Sequence, residues 1–188
     1  MSESADIALQ WPDGQAANFP KGITLAAILE QRKEKSDDIL GALVDGHLTD
    51  LQTGLQSGGA VKLVRLGDEE ALEFIRHTAA HVMAQAVKEL FPDAVFAIGP
   101  VIEDGFYYDF DVEKPFQPED LPKIEEAMRR IVEKNFPVVR RTLSRAEALA
   151  FFKNDKYKTE LIENLPADAE ISTYTQDTFT DLCRGPHA

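Results

Sequence analysis

Three turn signals constrain this chain to antiparallel hairpins. Pro12-Asp13-Gly14, Asp45-Gly46 and Asp104-Gly105 each separate two apolar, strand-like segments. Turn-forming residues between such segments are strong short-range hairpin signals. The arms of the first hairpin are Ile7 to Trp11 and Ala16 to Phe19. Thr24 is placed to cap a helix running to about Gln31. Ile39 to Val44 reads as a strand, His47 to Leu51 as a short segment, and Ala60 to Leu66 as a closing strand.

Hairpin, helix and further strands are the order of a small β-grasp fold like that of ubiquitin. The polar stretch Gly67-Asp-Glu-Glu70 then marks a boundary, giving domains 1–66 and 67–188. The second opens with a helical pattern from Ala71 to Leu90, closed by Phe91-Pro92-Asp93. Its apolar positions Leu72, Ile75, Ala79, Met83, Ala86 and Leu90 define an expected core stripe. Val95 to Ile102 and Phe106 to Asp111 read as a second hairpin, with Phe106, Tyr108 and Phe110 on one face and Tyr107, Asp109 and Asp111 on the other. An acid-rich helix is expected from about Pro118 to Asn135, then a strand from Phe136 to Leu143. Ser144-Arg-Ala-Glu147 is a capping box opening a short helix. A helix-like stretch reaches Leu165, and Glu170 to Thr180 alternates like a strand. Helices and antiparallel strands mixed in this way place the chain in the α+β class.

Bulk properties exclude some functions. The formal net charge of −13 over 188 residues gives no global attraction to nucleic acid, so any such role uses a local patch. Neither Gly-x-Gly-x-x-Gly nor a phosphate-binding Gly-Lys-Ser/Thr loop is present. No apolar run is long enough to span a bilayer, and Met1 to Asp6 is unlike a signal peptide. A single cysteine allows no intramolecular disulfide and fits a cytoplasmic setting.

The chemistry concentrates in two short motifs. His77-Thr-Ala-Ala-His81 puts two imidazoles on one helix face, and Cys183-Arg-Gly-Pro-His187 lies at the far end. Three of the four histidines sit in these motifs; His47, beside the Asp45-Gly46 turn, reads as a surface residue. On the expected helix phase, His77 and His81 lie opposite the apolar stripe, where paired surface histidines are the plain alternative to a site. A lone cysteine is ordinarily a small buried hydrophobe. Here Asp181 and Cys183 fall on one side of an extended segment, and Gly185-Pro186 provides a turn that swings His187 back. Such groups can converge as zinc ligands or as acids and bases around a polar substrate.

Phe74-Ile-Arg-His-Thr-Ala-Ala-His81, Ala97-Ile-Gly-Pro-Val-Ile102, Gly105-Phe-Tyr-Tyr-Asp109 and Leu182-Cys-Arg-Gly-Pro-His187 closely resemble the N-terminal region of bacterial threonyl-tRNA synthetases. The first stretch of the chain is similar to the family's TGS domain. The remainder resembles its editing domain, an α+β unit of the second-additional-domain type shared with alanyl-tRNA synthetases. The resemblance implies hydrolysis of mischarged seryl-tRNA, with the aminoacylated 3′ end of tRNA and the parent enzyme's C-terminal domains as partners. The ligase core, with its ATP and zinc, lies beyond this chain, which reads as a fragment.

Carried over by motif, His77, His81, Lys158, Asp181, Cys183 and His187 are the implied catalytic residues, and Tyr108 contacts substrate. Lys158 would neutralise the tRNA end or a developing oxyanion, and His77 would hold the terminal ribose. Asp181 would accept the substrate ammonium and His187 would orient water. Cys183 serves as a pocket wall or water-orienting group. The resemblance favours a metal-free site with no cofactor, although His77, His81, Cys183 and His187 also form a chemically sensible zinc set. A free-standing deacylase and a non-catalytic binding module are the alternative functions.

Overall fold

The computed structural model describes residues 6–34 and 36–188; the N-terminal residues 1–5, read above as unlike a signal peptide, lie outside them. The chain forms two compact units, Met1–Ile75 with Gly185–Ala188, and Arg76–Arg184. Among the described residues no helix is long and apolar enough to cross a membrane.

In the first unit β1 (Asp6–Gln10) pairs antiparallel with β2 (Ala16–Pro20) around the Pro12-Asp13-Gly14 turn. Asp13 Oδ1 stabilises that turn by accepting the Gln15 N–H at 2.9 Å. Helix α1 (Leu25–Arg32) starts where the Thr24 side chain accepts the Ala27 N–H, satisfying one of the helix's orphan donors. β3 (Ile39–Val44) and β4 (His47–Asp50) are joined by Asp45-Gly46, both at positive φ (50° and 81°). That conformation matches the twist of a two-residue hairpin, and glycine adopts it without Cβ strain. β5 (Gly59–Arg65) runs parallel to β1 and antiparallel to β3, giving the strand order β2-β1-β5-β3-β4.

Both sides of the central strands are apolar. Ile7, Leu9, Leu25, Ile28 and Ala42 form one core, while Val64, Ala71 and Phe74 pack with Leu40, Leu43 and Leu48 in another. The Phe74 contribution comes from the first turn of α2 (Ala71–Leu90).

In the second unit the expected hairpin is interrupted. β6 (Val95–Phe96) pairs with β9 (Phe110–Asp111), and β7 (Val101–Ile102) with β8 (Gly105–Phe106). Between the two ladders the arms stay linked by Ala97 N–H to Asp109 O (3.0 Å) and Asp109 N–H to Ile98 O (2.9 Å). Gly99-Pro100 explains the break, since proline has no N–H to donate to a ladder. Gly99 is also required sterically, because a Cβ there would lie 2.2 Å from Tyr108 Cδ2. The expected division of faces holds: Tyr108 is buried, Tyr107 is exposed, and the Tyr108 and Phe110 rings stack at 5.0 Å.

Helix α3 (Leu121–Lys134) buries Ile124, Ala127 and Ile131, one stripe at helical spacing, against Ala80, Ala84 and Val87 of α2 and the Phe96 and Tyr108 rings. β10 (Val138–Leu143) leads into α4 (Arg145–Phe151), whose capping box forms: Ser144 accepts the Glu147 N–H, and the Glu147 carboxylate accepts the Ser144 N–H. Helix α5 (Lys156–Asn164) is capped by Asp155, which accepts the Tyr157 and Lys158 N–H groups. The stretch expected as one strand over 170–180 divides at Asp177, whose φ is 54°, into β11 (Ile171–Gln176) and β12 (Phe179–Leu182). These form the antiparallel sheet β10-β11-β12.

The helical phase expected for α2 is corrected. Leu72, Ile75 and Leu90 are exposed at 45%, 41% and 36%, whereas Phe74, Ala80, Ala84 and Val87 are buried and His81 is only 8% exposed. Alanine fills three of the seven buried positions from 80 to 87 (Ala80, Ala84 and Ala86), beside His81, Val82, Gln85 and Val87. A stripe weighted by large side chains therefore points to the wrong face.

Candidate functional site

A cavity of about 490 Å³ in the 76–184 unit gathers six of the seven residues singled out from sequence. His77 and His81 reach it from α2, Tyr108 from the segment between β8 and β9, Lys158 from α5, and Asp181 and Cys183 from β12 and the residue after it. Ile98, Leu161, Leu165 and Ile171 add apolar wall. His187 belongs to the first unit, where its backbone N–H donates to Asp50 Oδ2 at 3.3 Å.

A buried polar cluster forms the deep part of the cavity. Lys158 Nζ lies 2.6 Å from Asp181 Oδ1 and donates to the Ala97 carbonyl at 2.9 Å. Tyr108 O–H donates to Asp181 Oδ2 at 2.5 Å, and Leu182 N–H donates to Asp181 Oδ1 at 2.8 Å. The Asp181 carboxylate thus has partners on both oxygens, as a buried anion requires. Burial, then the charge of Asp181 and the bond to it, push the Tyr108 phenol well above its ordinary range. Tyr108 therefore stays a hydrogen-bond donor at any working pH.

Closer to the opening, Cys183 Sγ lies 3.1 Å from His77 Nε2, and the His77 and His81 rings meet edge to face at 5.4 Å. His81 Nε2 is 3.7 Å from Asp181 Oδ2. Burial first, then electrostatic repulsion from His77 and Lys158, lower the His81 pKa to about 3, so its imidazole is neutral near pH 7. Cys183 is pinned to β11 through its backbone: its N–H donates to Ser172 O at 3.1 Å, and its carbonyl accepts the Ser172 hydroxyl at 2.5 Å.

Two arrangements of chemistry fit these groups. The ligand atoms of His77, His81 and Cys183 lie within 4.8 Å of one another, a spacing that small side-chain adjustments convert into three zinc ligands. Without metal, the ammonium of Lys158, held by the Asp181 carboxylate that Tyr108 also anchors, lies in one cavity with a neutral imidazole acceptor and a thiol. Such groups suit attack of water on a carbonyl ester.

Sequence reading overlooked several contributors. Ser172 carries no local signal, being one small polar residue in a strand. The Ala97 carbonyl was overlooked too, although Gly99-Pro100 inside a strand pattern indicated irregular backbone there. Leu161 and Leu165 were legible only as part of an apolar helix.

The chain is 47% identical over 184 residues to a threonine–tRNA ligase of Syntrophomonas wolfei, covering 96% of this chain and 29% of that protein. It is homologous to the N-terminal region of threonine–tRNA ligases. The corresponding ligase of Geobacter sp. (strain M21) is 49% identical over 187 residues, with 97% of this chain and 29% of that protein covered. That of Symbiobacterium thermophilum is 44% identical over 187 residues, with 98% and 29% covered. No protein-family model matches the chain. The chain thus spans under a third of the length of these ligases, and the cavity lies in that N-terminal part.

Proposed function

We propose that the chain edits tRNA, hydrolysing the ester of serine attached in error to the tRNA for threonine. The Lys158–Asp181–Tyr108 cluster, buried beneath a cavity rimmed by His77 and Cys183 in a homologue of threonine–tRNA ligases, carries this reading. On this reading residues 1–66 are a TGS-like β-grasp domain. Residues 67–188 are an editing domain of the type shared by threonyl- and alanyl-tRNA synthetases. The aminoacylated 3′ end of tRNA is the substrate, the remaining domains of a parent ligase are partners, and the setting is the cytoplasm.

The need for such a site follows from binding energetics. Serine lacks one methyl group of threonine, a difference worth only about 1–3 kcal/mol of discrimination. Hydrolysis after charging supplies the missing accuracy. The cavity's 490 Å³ lies within the usual range for small-molecule sites.

In the reaction a water oxygen bonds to the acyl carbon and the ester C–O bond breaks. The proton lost by water is balanced by the one taken up on the departing ribose oxygen. Lys158, held by Asp181 and Ala97 O, places a fixed positive charge beside the carbonyl as negative charge develops. The Tyr108 hydroxyl fixes Asp181 and, with it, the direction of the ammonium. His77 and Cys183 form the wall nearest the ribose. We read the chemistry as metal-free, because the cluster supplies this electrostatic stabilisation from side chains alone.

The test is deacylation by the isolated chain of matched seryl- and threonyl-tRNA for threonine. Faster release of serine is expected, and equal rates on the two substrates would overturn the reading. The net charge of −13 predicts weak tRNA affinity, with a rate that rises steadily with tRNA concentration through the micromolar range.

A further inference from the structure

Behind the cluster lies a second cavity, of about 300 Å³, and the two cavities share Lys158 and Asp181 as common wall. Helix α2 serves both, sending His77 and His81 to the first and Lys88 to the second. At about 100° per residue, His77, His81, Gln85 and Lys88 fall within an arc of about 80°. Gln85 itself lines neither cavity; it lies within the arc of α2 that carries His81 of the first and Lys88 of the second. Phe179 connects the same region, lining the second cavity while its ring meets His81 edge to face at 6.4 Å.

Gln85 is 2% exposed, and neither its amide nitrogen nor its amide oxygen has a hydrogen-bond partner among the described residues. A primary amide left unpaired in a protein interior is costly, and native structures meet that cost with ordered water. Water is the smallest group able to accept from Nε2 and donate to Oε1. Its remaining hydrogen-bonding capacity suits a polar wall such as Asp181 and Lys158.

We propose that Gln85 holds a buried water where the two cavities meet, and that it is a positioning residue for the water that attacks the ester. The proposal rests on the hydrolytic reading of the first cavity. Aminoacyl ester filling that cavity excludes bulk solvent, so the nucleophile must be resident before substrate binds or arrive from behind. A water held by Gln85 beside the shared wall meets that requirement. Gln85 exchanges no proton; it orients the water oxygen, and the reaction consumes one water per ester as written above.

The test combines structure, stability and kinetics. A crystal structure of the chain is expected to hold an ordered water within about 3.2 Å of the Gln85 amide. Its absence from well-ordered density would overturn the proposal. Gln85→Leu should remove that water, keep or raise the melting temperature, and lower kcat on seryl-tRNA about tenfold at unchanged KM, the effect of one lost hydrogen bond. Wild-type kcat in a folded Gln85→Leu chain would overturn the positioning role; Gln85→Met repeats the measurement if leucine disturbs packing. Failure of the hydrolytic reading would instead show as a wild-type chain inactive on seryl-tRNA, with the buried water still visible.

Discussion

Lys158 Nζ lies 2.6 Å from Asp181 Oδ1, and the two side chains are only 4% and 5% exposed. Each is the main answer to the other's buried charge, with Tyr108, Ala97 O and Leu182 N–H completing the shell. Replacing one partner strands the other, at a cost of about 3–5 kcal/mol. Lys158→Met and Asp181→Leu should each lower stability by that amount and abolish deacylation. The double variant should be more stable than either single one and remain inactive. Urea unfolding of the four proteins measures the coupling; additive losses would show that the pair does not act as a unit.

Stability should also depend on the imidazole of His81. Its pKa falls from the ordinary 6.5 to about 3 through burial and then electrostatic repulsion from His77 and Lys158. Between pH 6.5 and about 3 the unfolded chain carries a proton on this histidine that the folded chain refuses, so stability falls as pH falls. The slope from one group is at most about 1.4 kcal/mol per pH unit. Above pH 6.5 both states are neutral and the contribution is flat. His81→Gln should flatten the acid limb relative to wild type; an unchanged limb in melts from pH 7 to pH 4 would place the sensitivity elsewhere.

The corrected phase of α2 gives a contrast within one turn. Phe74 is fully buried against Val64 and Ala71, while Leu72 is 45% exposed. Phe74→Ala should cost about 3–5 kcal/mol. Leu72→Ala should stay within about 0.5 kcal/mol of wild type, as expected for a surface position. Thermal melts of the two variants decide between the observed phase and the one expected from large apolar residues.

Features fixed by neighbours in sequence were legible without coordinates. The Asp45-Gly46 turn, the Thr24 cap, the Ser144–Glu147 box and the Ala71–Leu90 helix each depend on local backbone chemistry. Resemblance singled out the candidate residues, six of which line one cavity, yet it did not reveal how they are wired. Asp181 was expected to receive a substrate ammonium, and the structure pairs it with the ammonium of Lys158. That pairing joins β12 to α5 across the unit, and no periodicity or spacing encodes it. The same holds for the Ser172 hydroxyl that anchors Cys183, and for the Ala97 carbonyl exposed by a broken ladder. The phase of α2 misled for a different reason: alanine is small enough to be buried anywhere, so it leaves little hydrophobic signal.

The metal question turns on Cys183. Tetrahedral zinc holds its nitrogen and sulfur ligand atoms about 3.4–3.8 Å apart. Cys183 Sγ and His77 Nε2 are at 3.1 Å, the contact of a thiol and an imidazole hydrogen-bonded to each other. On the metal-free reading that hydrogen bond is the functional feature, and a hydroxyl can replace the thiol in it. Cys183→Ser should therefore retain a measurable fraction of seryl-tRNA hydrolysis, and the chain should purify with well under one zinc per molecule. Added chelator should leave the rate unchanged. A zinc site predicts the opposite on every count: serine would lose the thiolate ligand, chelator would inactivate, and elemental analysis would return one metal per chain. Measuring zinc content and chelator sensitivity on the same preparation separates the two, because bound zinc without inactivation would mark an ion held by the three side chains but unused in hydrolysis.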